Sequence, residues 1–370
     1  MLMVIFGAGA SYDSSPDFPP PQPQAGGQNF GPPPAPPDPR EVWRPPLTNH
    51  LFLDANDKFG AVVLNYPRLH GILPFLRQPR SGRTVEQQLE LYLDQASANQ
   101  ERSRQVLSVR YYLHDLFRMI SDEWLRRTNR VTNYAVLIDQ IRQLNAAGEP
   151  VCLISFNYDL LLDNALLPSR VNSTPLESDF DAHPMFKLFK PHGSVDWARI
   201  LDPLPYSRGD VSRRFGPQQL IEQAPSIKLS DQYVRANATD PAQLFKFKQP
   251  IVPAIAIPVQ TKTADFFEWP SSHRTHFEEL LPRVTKILII GWRAREAHFL
   301  NLLRKNLPTG GITQITHLQV VGRNPEEAGE ISKQFIADIG REVKTPPSSS
   351  RARGFSHFVR EELVGFFFSG

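Results

Sequence analysis

The sequence predicts an α/β protein with a doubly wound parallel sheet, a helical insertion and a second, irregular insertion. Wholly apolar runs at Leu2–Phe6 and Ile287–Ile290, and runs at Val151–Phe156 and Leu318–Val321 broken only by Ser155 and Gln319, end in glycine or in a polar turn. Strands buried on both faces read this way, because nothing on either face requires alternation. Segments of helical period stand between those runs, the arrangement that makes a parallel sheet. The 370 residues are 41 % hydrophobic and 21 % charged, sufficient for a large core and incompatible with a chain disordered throughout.

The first strand, Leu2–Phe6, runs into Gly7-Ala8-Gly9-Ala10-Ser11. Residues 16–46 follow, with thirteen prolines in 31 positions. Such a segment cannot form a helix and buries little, so it reads as an irregular or polyproline-like loop. A ligand for a proline-recognising partner is the other reading. Residues 47–148 read as a helical insertion. Thr84 with Gln87 fits a capping box, and Val85, Leu89, Tyr92, Leu93 and Ala96 continue at helical spacing. A second helix is marked by Val106, Val109, Leu113, Leu116, Phe117, Ile120 and Trp124. A third runs through Tyr134, Leu137, Ile138, Ile141 and Leu144 and stops near Gly148-Glu149-Pro150. The strand Val151–Phe156 comes next. Residues 198–284 are proline-rich and without clear period, which makes them the second insertion. Helices are expected around Phe299–Leu303 and Ile331–Ile339, and residues 344–370 read as a linker and a short C-terminal helix.

The single cysteine, Cys152, excludes a disulfide framework, a zinc ribbon and an iron–sulfur cluster, and within its apolar run it reads as packing. A net charge of +3 without a basic run does not indicate nucleic acid. No apolar run reaches about 18 residues and no signal peptide is visible, so the expectation is a soluble cytoplasmic protein with no membrane partner.

The chemistry-bearing residues lie at strand ends, where open α/β sheets bind ligands. Glycines after Leu2–Phe6 allow close backbone approach to a diphosphate, or else serve packing in a tight turn; the third glycine of the usual fingerprint is absent, Tyr12 standing there. Ser155-Phe156-Asn157-Tyr158-Asp159 ends the next strand, and Asp159 reads either as a ligand contact or as a helix cap. Lys190-Pro191-His192-Gly193-Ser194 places a histidine in a short polar turn, where it can act as a general base or be structural. His273 and His276 lack partners for a metal site and read as surface residues.

Taken in order, Gly7–Ser11, Phe156-Asn157-Tyr158-Asp159, Lys190-Pro191-His192-Gly193-Ser194 and Ile289-Ile290-Gly291-Trp292 resemble the sirtuin-like family in its zinc-free bacterial branch. Pro46-Leu47-Thr48-Asn49-His50-Leu51 is similar to the helix start that follows the glycine loop there, and Val85-Glu86-Gln87-Gln88-Leu89 to its acidic helix. The resemblance implies a Rossmann-like domain over residues 1–343 and an NAD+ glycohydrolase that releases nicotinamide and ADP-ribose, with NAD as substrate and no metal. It implies Asn157 and His192 as catalytic residues. It also implies that Gly7, Ala8, Gly9 and Ser11 hold the diphosphate, Asp159 the nicotinamide carboxamide, and Gly291 and Trp292 the adenosine side. The branch is associated with antiphage defence by NAD depletion, as homo-oligomers or with a partner such as a translocase ATPase. One cysteine cannot build the four-cysteine zinc module of the deacetylases. The family's acidic-aromatic-arginine element is represented by Asp17-Phe18, but Pro19 follows and the nearest arginine is Arg40. The alternative reading is a non-catalytic sensor that binds NAD or ADP-ribose and regulates a partner. Asn157 and His192 favour the enzyme.

Overall fold

The computed structural model describes residues 1–21, 38–53, 58–79, 82–166, 176–181, 183–202, 216–240, 250–259, 267–309, 314–344, 348–349 and 353–368. Most of the proline-rich loop and parts of the second insertion therefore lie outside the described residues. Its centre is a parallel sheet in the order β3-β2-β1-β7-β8-β9, formed by Leu2–Phe6 (β1), Val151–Ser155 (β2), Phe186–Phe189 (β3), Lys286–Ile290 (β7), His317–Val321 (β8) and the short Ser348–Ser349 (β9). The fold is Rossmann-like. The chain steps from β1 outward to β2 and β3, then returns to β7 on the other side of β1, so the topological switch point lies between β1 and β7.

Strands β1, β2, β7 and β8 are almost wholly buried because each face has its own helical layer. Met3 and Ile5, with Cys152, Ile154, Ile287 and Ile289 in register beside them, pack against Phe299 and Leu303 of α7 (Ala297–Asn306) and Phe335 of α8 (Pro325–Ile339). Leu2, Val4 and Phe6 point the other way, against Tyr134, Leu137 and Ile141 of α4 (Asn133–Leu144) and the C-terminal helix α9 (Phe355–Arg360). Between β1 and β2 the chain forms α1 (Ala8–Tyr12), α2 (Val85–Ala96), the long α3 (Gln100–Arg127) and α4. The capping box at α2 is present in full: Gln87 N donates to Thr84 Oγ1 and Thr84 N to Gln87 Oε1. Residues 48–50 form only a single 3-10 turn, so the expected helix start at Pro46–Leu51 is not one.

The second insertion is more ordered than its composition suggested. A three-stranded antiparallel sheet joins Gly193–Leu201 (β4), Leu229–Arg235 (β5) and Ile251–Ile255 (β6); a short helix at Pro217–Glu222 and α6 (Ser271–Leu280) belong to the same insertion, and α5 (Leu161–Leu166) precedes it between β2 and β3. Proline at 253 and the exposed, polar face of β5 hid the sheet from a pattern reading. His273 is no surface residue: it is fully buried on α6, with Nε2 2.5 Å from Leu176 O. The segment expected to be a linker supplies β9, and Phe355, Phe358, Val364 and Phe367 beyond it belong to the core.

At the switch point the turn after β1 meets the turn after β7 without side chains between them. A Cβ on Gly7 would lie 2.7 Å from Gly291 O, and one on Gly291, whose φ is +62°, 2.2 Å from Ala10 N. Gly329, inside α8, has open space where its Cβ would be. Gly291→Ala is expected to destabilise the fold by about 2–4 kcal/mol, from overpacking together with left-handed strain. Gly329→Ala should stabilise it by roughly 0.5–1 kcal/mol through helix propensity. Urea unfolding of both variants checks the pair.

Candidate functional site

The carboxyl ends of β1, β2 and β3 bring the sequence-derived residues together. Gly7 N and Gly9 N donate to Ile290 O and Gly291 O, both at 3.0 Å. The glycines thus serve close main-chain packing, and those two amides have protein acceptors. Gly7 O faces the end of β2, where Asn157 Nδ2 donates to it at 2.9 Å. The same nitrogen lies 2.9 Å from Ser11 Oγ and 3.1 Å from Tyr134 OH. Because Gly7 O can only accept, the amide nitrogen must face this cluster, which turns Asn157 Oδ1 away from it. Ser11 and Tyr134 hydroxyls are themselves 2.9 Å apart. Burial raises the Tyr134 phenol well above its ordinary pKa, so it remains a neutral donor.

Asp159 performs the capping that its position suggested: Oδ1 accepts from Leu161 N at 3.1 Å at the start of α5. Its Oδ2 is buried and has no hydrogen-bond partner among the described residues. Burial pushes the carboxyl pKa up, opposed by the Ser11 hydroxyl and by the charge of Lys190. Lys190, at the end of β3, is 1 % exposed and its Nζ bridges Asp159 O (2.7 Å), Asp163 Oδ2 (2.9 Å) and Ser194 Oγ (2.8 Å). It locks the end of β3 to the start of α5. In the sequence Lys190 stands only as part of the Lys190–Ser194 motif, with no spacing that marks this role.

His192 follows directly and is 4 % exposed, more enclosed than a polar turn suggested. Its Nδ1 is 3.1 Å from Phe156 O. A carbonyl only accepts, so neutral His192 carries its proton on Nδ1 and its lone pair on Nε2, the form a general base requires. Phe156 joins the parts: it precedes Asn157, holds His192 by its carbonyl, and its ring lies 4.8 Å from the imidazole and stacks on Trp292 at 5.1 Å. Trp292 is buried, its Nε1 donating to Glu296 Oε2 at 2.5 Å and its ring against Phe299. Gly291 and Trp292 therefore border the site through main-chain and ring packing. Ala8 occupies the first position of α1.

In sequence, no arginine stands beside Asp17-Phe18. The structure returns two: the guanidiniums of Arg40 and Arg44 lie 4.3 and 4.6 Å from the centre of the Phe18 ring. Arg44 is buried, donates to Tyr12 O, Phe18 O and Glu41, and closes the base of the proline-rich loop onto α1. Tyr134 was legible only as an apolar helix position; no spacing signal marks its hydroxyl. An open cavity of about 750 Å³ lies away from Asn157 and His192, between α7 and α8, bordered by Arg293, Arg295, Leu300, Glu330 and Ile331. No cluster of potential metal ligands is found among the described residues, and no helix among them is long and apolar enough to cross a membrane. Comparison of the chain with protein-family models and with curated proteins finds no match.

Lys190→Met leaves the Asp163 carboxylate buried without its cation and should cost about 3–5 kcal/mol, whereas Lys190→Met with Asp163→Leu should cost much less. Chemical denaturation of the two variants tests this. Asp159 predicts a pH effect of the opposite kind. Its folded pKa is raised, so the fold favours the protonated acid; that stabilisation is complete below the ordinary value of 3.8 and is lost as pH rises through the folded pKa. Asp159→Asn should therefore be more stable than wild type at pH 7, with the difference narrowing on acidification, as measured by unfolding at several pH values.

Proposed function

We propose that this chain is a sirtuin-like NAD+ glycohydrolase, and the observation that carries the reading is the linkage of Asn157 and His192 through Phe156. Asn157 is bonded to Gly7 O beside the switch point of the sheet, and His192, past the end of β3, to Phe156 O. In the proposed reaction the bond between ribose C1′ and the nicotinamide nitrogen breaks, and its electron pair goes to that nitrogen. Nicotinamide leaves neutral, so no strong acid is needed. Positive charge develops on the ribose, as in other glycosidic cleavages. Asn157 Oδ1, a neutral acceptor, orders the ribose or the attacking water without trapping the cation. His192 Nε2 takes the proton as water bonds to C1′, giving ADP-ribose. Asp159 Oδ2, buried beside the Ser11 hydroxyl, suits a carboxamide N–H.

The same resemblance motivates a role in antiphage defence by NAD depletion, as a homo-oligomer or with a protein partner that triggers it. The rival sensor uses the same strand ends without turnover, but has no need of a histidine whose tautomer is fixed.

Chromatography of NAD incubated with wild type, Asn157→Ala and His192→Ala, each alone and with lysate from infected cells, separates the two. Nicotinamide release by wild type is expected, with His192→Ala slower by about 10²–10⁴. Intact NAD in every sample, with binding retained, would establish the sensor instead.

A further inference from the structure

The loop carrying His192 is held from its other side by a segment distant in sequence. Glu268 N donates to Pro191 O and Ala256 N to His192 O, both at 2.9 Å. Gly193, with φ +77°, is pressed against this wall: a Cβ there would lie 1.8 Å from Ala254 O and 3.2 Å from Glu268 Cβ. The Phe267 ring lies 6.3 Å from the imidazole. The Glu268 side chain is only 5 % exposed. Arg110 NH1 reaches Oε1 at 2.6 Å, Arg199 NH1 reaches Oε2 at 3.3 Å, and Tyr233 OH stands 3.5 Å from Oε2. Arg110 belongs to α3 of the helical insertion, and Arg199 to β4, the strand that begins at Gly193.

A carboxylate buried between two arginines is a poor way to gain stability, since desolvation offsets most of the attraction. What such a cluster does supply is a single position for the backbone that bears it. That backbone is in direct contact with Pro191 and Gly193.

We infer that Glu268 is a positioning residue for His192, and that Arg110 makes the helical insertion part of the catalytic apparatus. The inference rests on the reading of His192 as general base. The path runs from the 28-residue helix α3 through Arg110 to the Glu268 carboxylate, then along the Glu268 main chain to Pro191 O and the imidazole. On its opposite side the imidazole donates to Phe156 O. That bond weakens steeply with small displacements. Once it is lost, both tautomers form and Nε2 carries the lone pair in only a fraction of molecules.

Nitrogen-15 NMR of histidine-labelled protein reads this directly, with the His192 signals identified by their loss in His192→Gln. Wild type should show His192 protonated on Nδ1 alone. Glu268→Gln and Arg110→Met should show mixed tautomers, with kcat reduced by about 10- to 100-fold and KM for NAD unchanged. Arg110→Lys should restore most of the wild-type tautomer. Glu268→Asp, which keeps the charge but withdraws it by one methylene, covers the case in which Glu268→Gln fails to fold and should show a mixture too. A wild-type His192 spectrum in folded Glu268→Gln, or in Glu268→Asp, overturns the inference. A fixed tautomer in wild type without any turnover of NAD would instead overturn the enzymatic reading, because the NMR measurement needs no substrate.

Discussion

The contact made without side chains between the turns after β1 and β7 governs the rest of the structure. Gly7, Gly9 and Gly291 let two main chains meet where any Cβ would collide, and the meeting directs two amides at Ile290 O and Gly291 O. Gly7 O, at the end of β1, accepts from Ala10 N and also, at 2.9 Å, from the Asn157 side chain at the end of β2. The orientation of Asn157 therefore follows from packing at the switch point. A glycine pair at this place looks like a phosphate-binding fingerprint in sequence, yet its first demand is steric. The motif and the packing requirement coincide because both need backbone to approach closely.

Beyond that contact, the strand ends are unusually polar for a region so thoroughly buried. Asn157, Asp159, Asp163, Lys190 and His192 are all withdrawn from water. Leaving such groups unbonded costs a few kcal/mol each, more for charges. Lys190 offsets this at three acceptors at once, fixing β3 to α5. Asp159 is the exception, with one oxygen bonded and one not. An arrangement built for stability alone would place Asn there.

Much of the fold was legible because buried parallel strands have no competing pattern. Leu2–Phe6 is apolar at every position and Val151–Phe156 at every position but Ser155, both end abruptly, and Thr84 with Gln87 has a local hydrogen-bonding reason that needs no tertiary context. The antiparallel sheet was not legible, because β5 exposes most of its length and β6 contains Pro253. His273 was misplaced for a related reason: Phe277 and Leu280 share its helix face, but the surrounding prolines masked that period. At the site, strand-end position located Asn157, Asp159 and His192. Tyr134, which bonds Asn157, and Glu268, whose amide holds Pro191 O beside His192, come from other elements, and only tertiary structure brings them in.

This dependence on distant segments extends to the last residues described. Asp13, at the end of α1, accepts from Ser356 N at 3.1 Å across 343 positions and so caps α9, whose own preceding residue is Gly354. Asn133 Nδ2 joins both partners, donating to Asp13 O and Ser356 Oγ. Phe355 packs 5.4 Å from Tyr134, whose hydroxyl is bonded to Asn157. One ring contact and one hydrogen bond thus connect the C-terminal helix to the candidate catalytic amide. No contiguous stretch of chain contains the site: β1 needs β2 for Asn157, β7 for Gly291 and α9 for the packing behind Tyr134. Such non-local closure makes folding slow. It also means that the site's geometry is set only once the whole sheet has closed, so the candidate site stays incomplete in any partly folded chain.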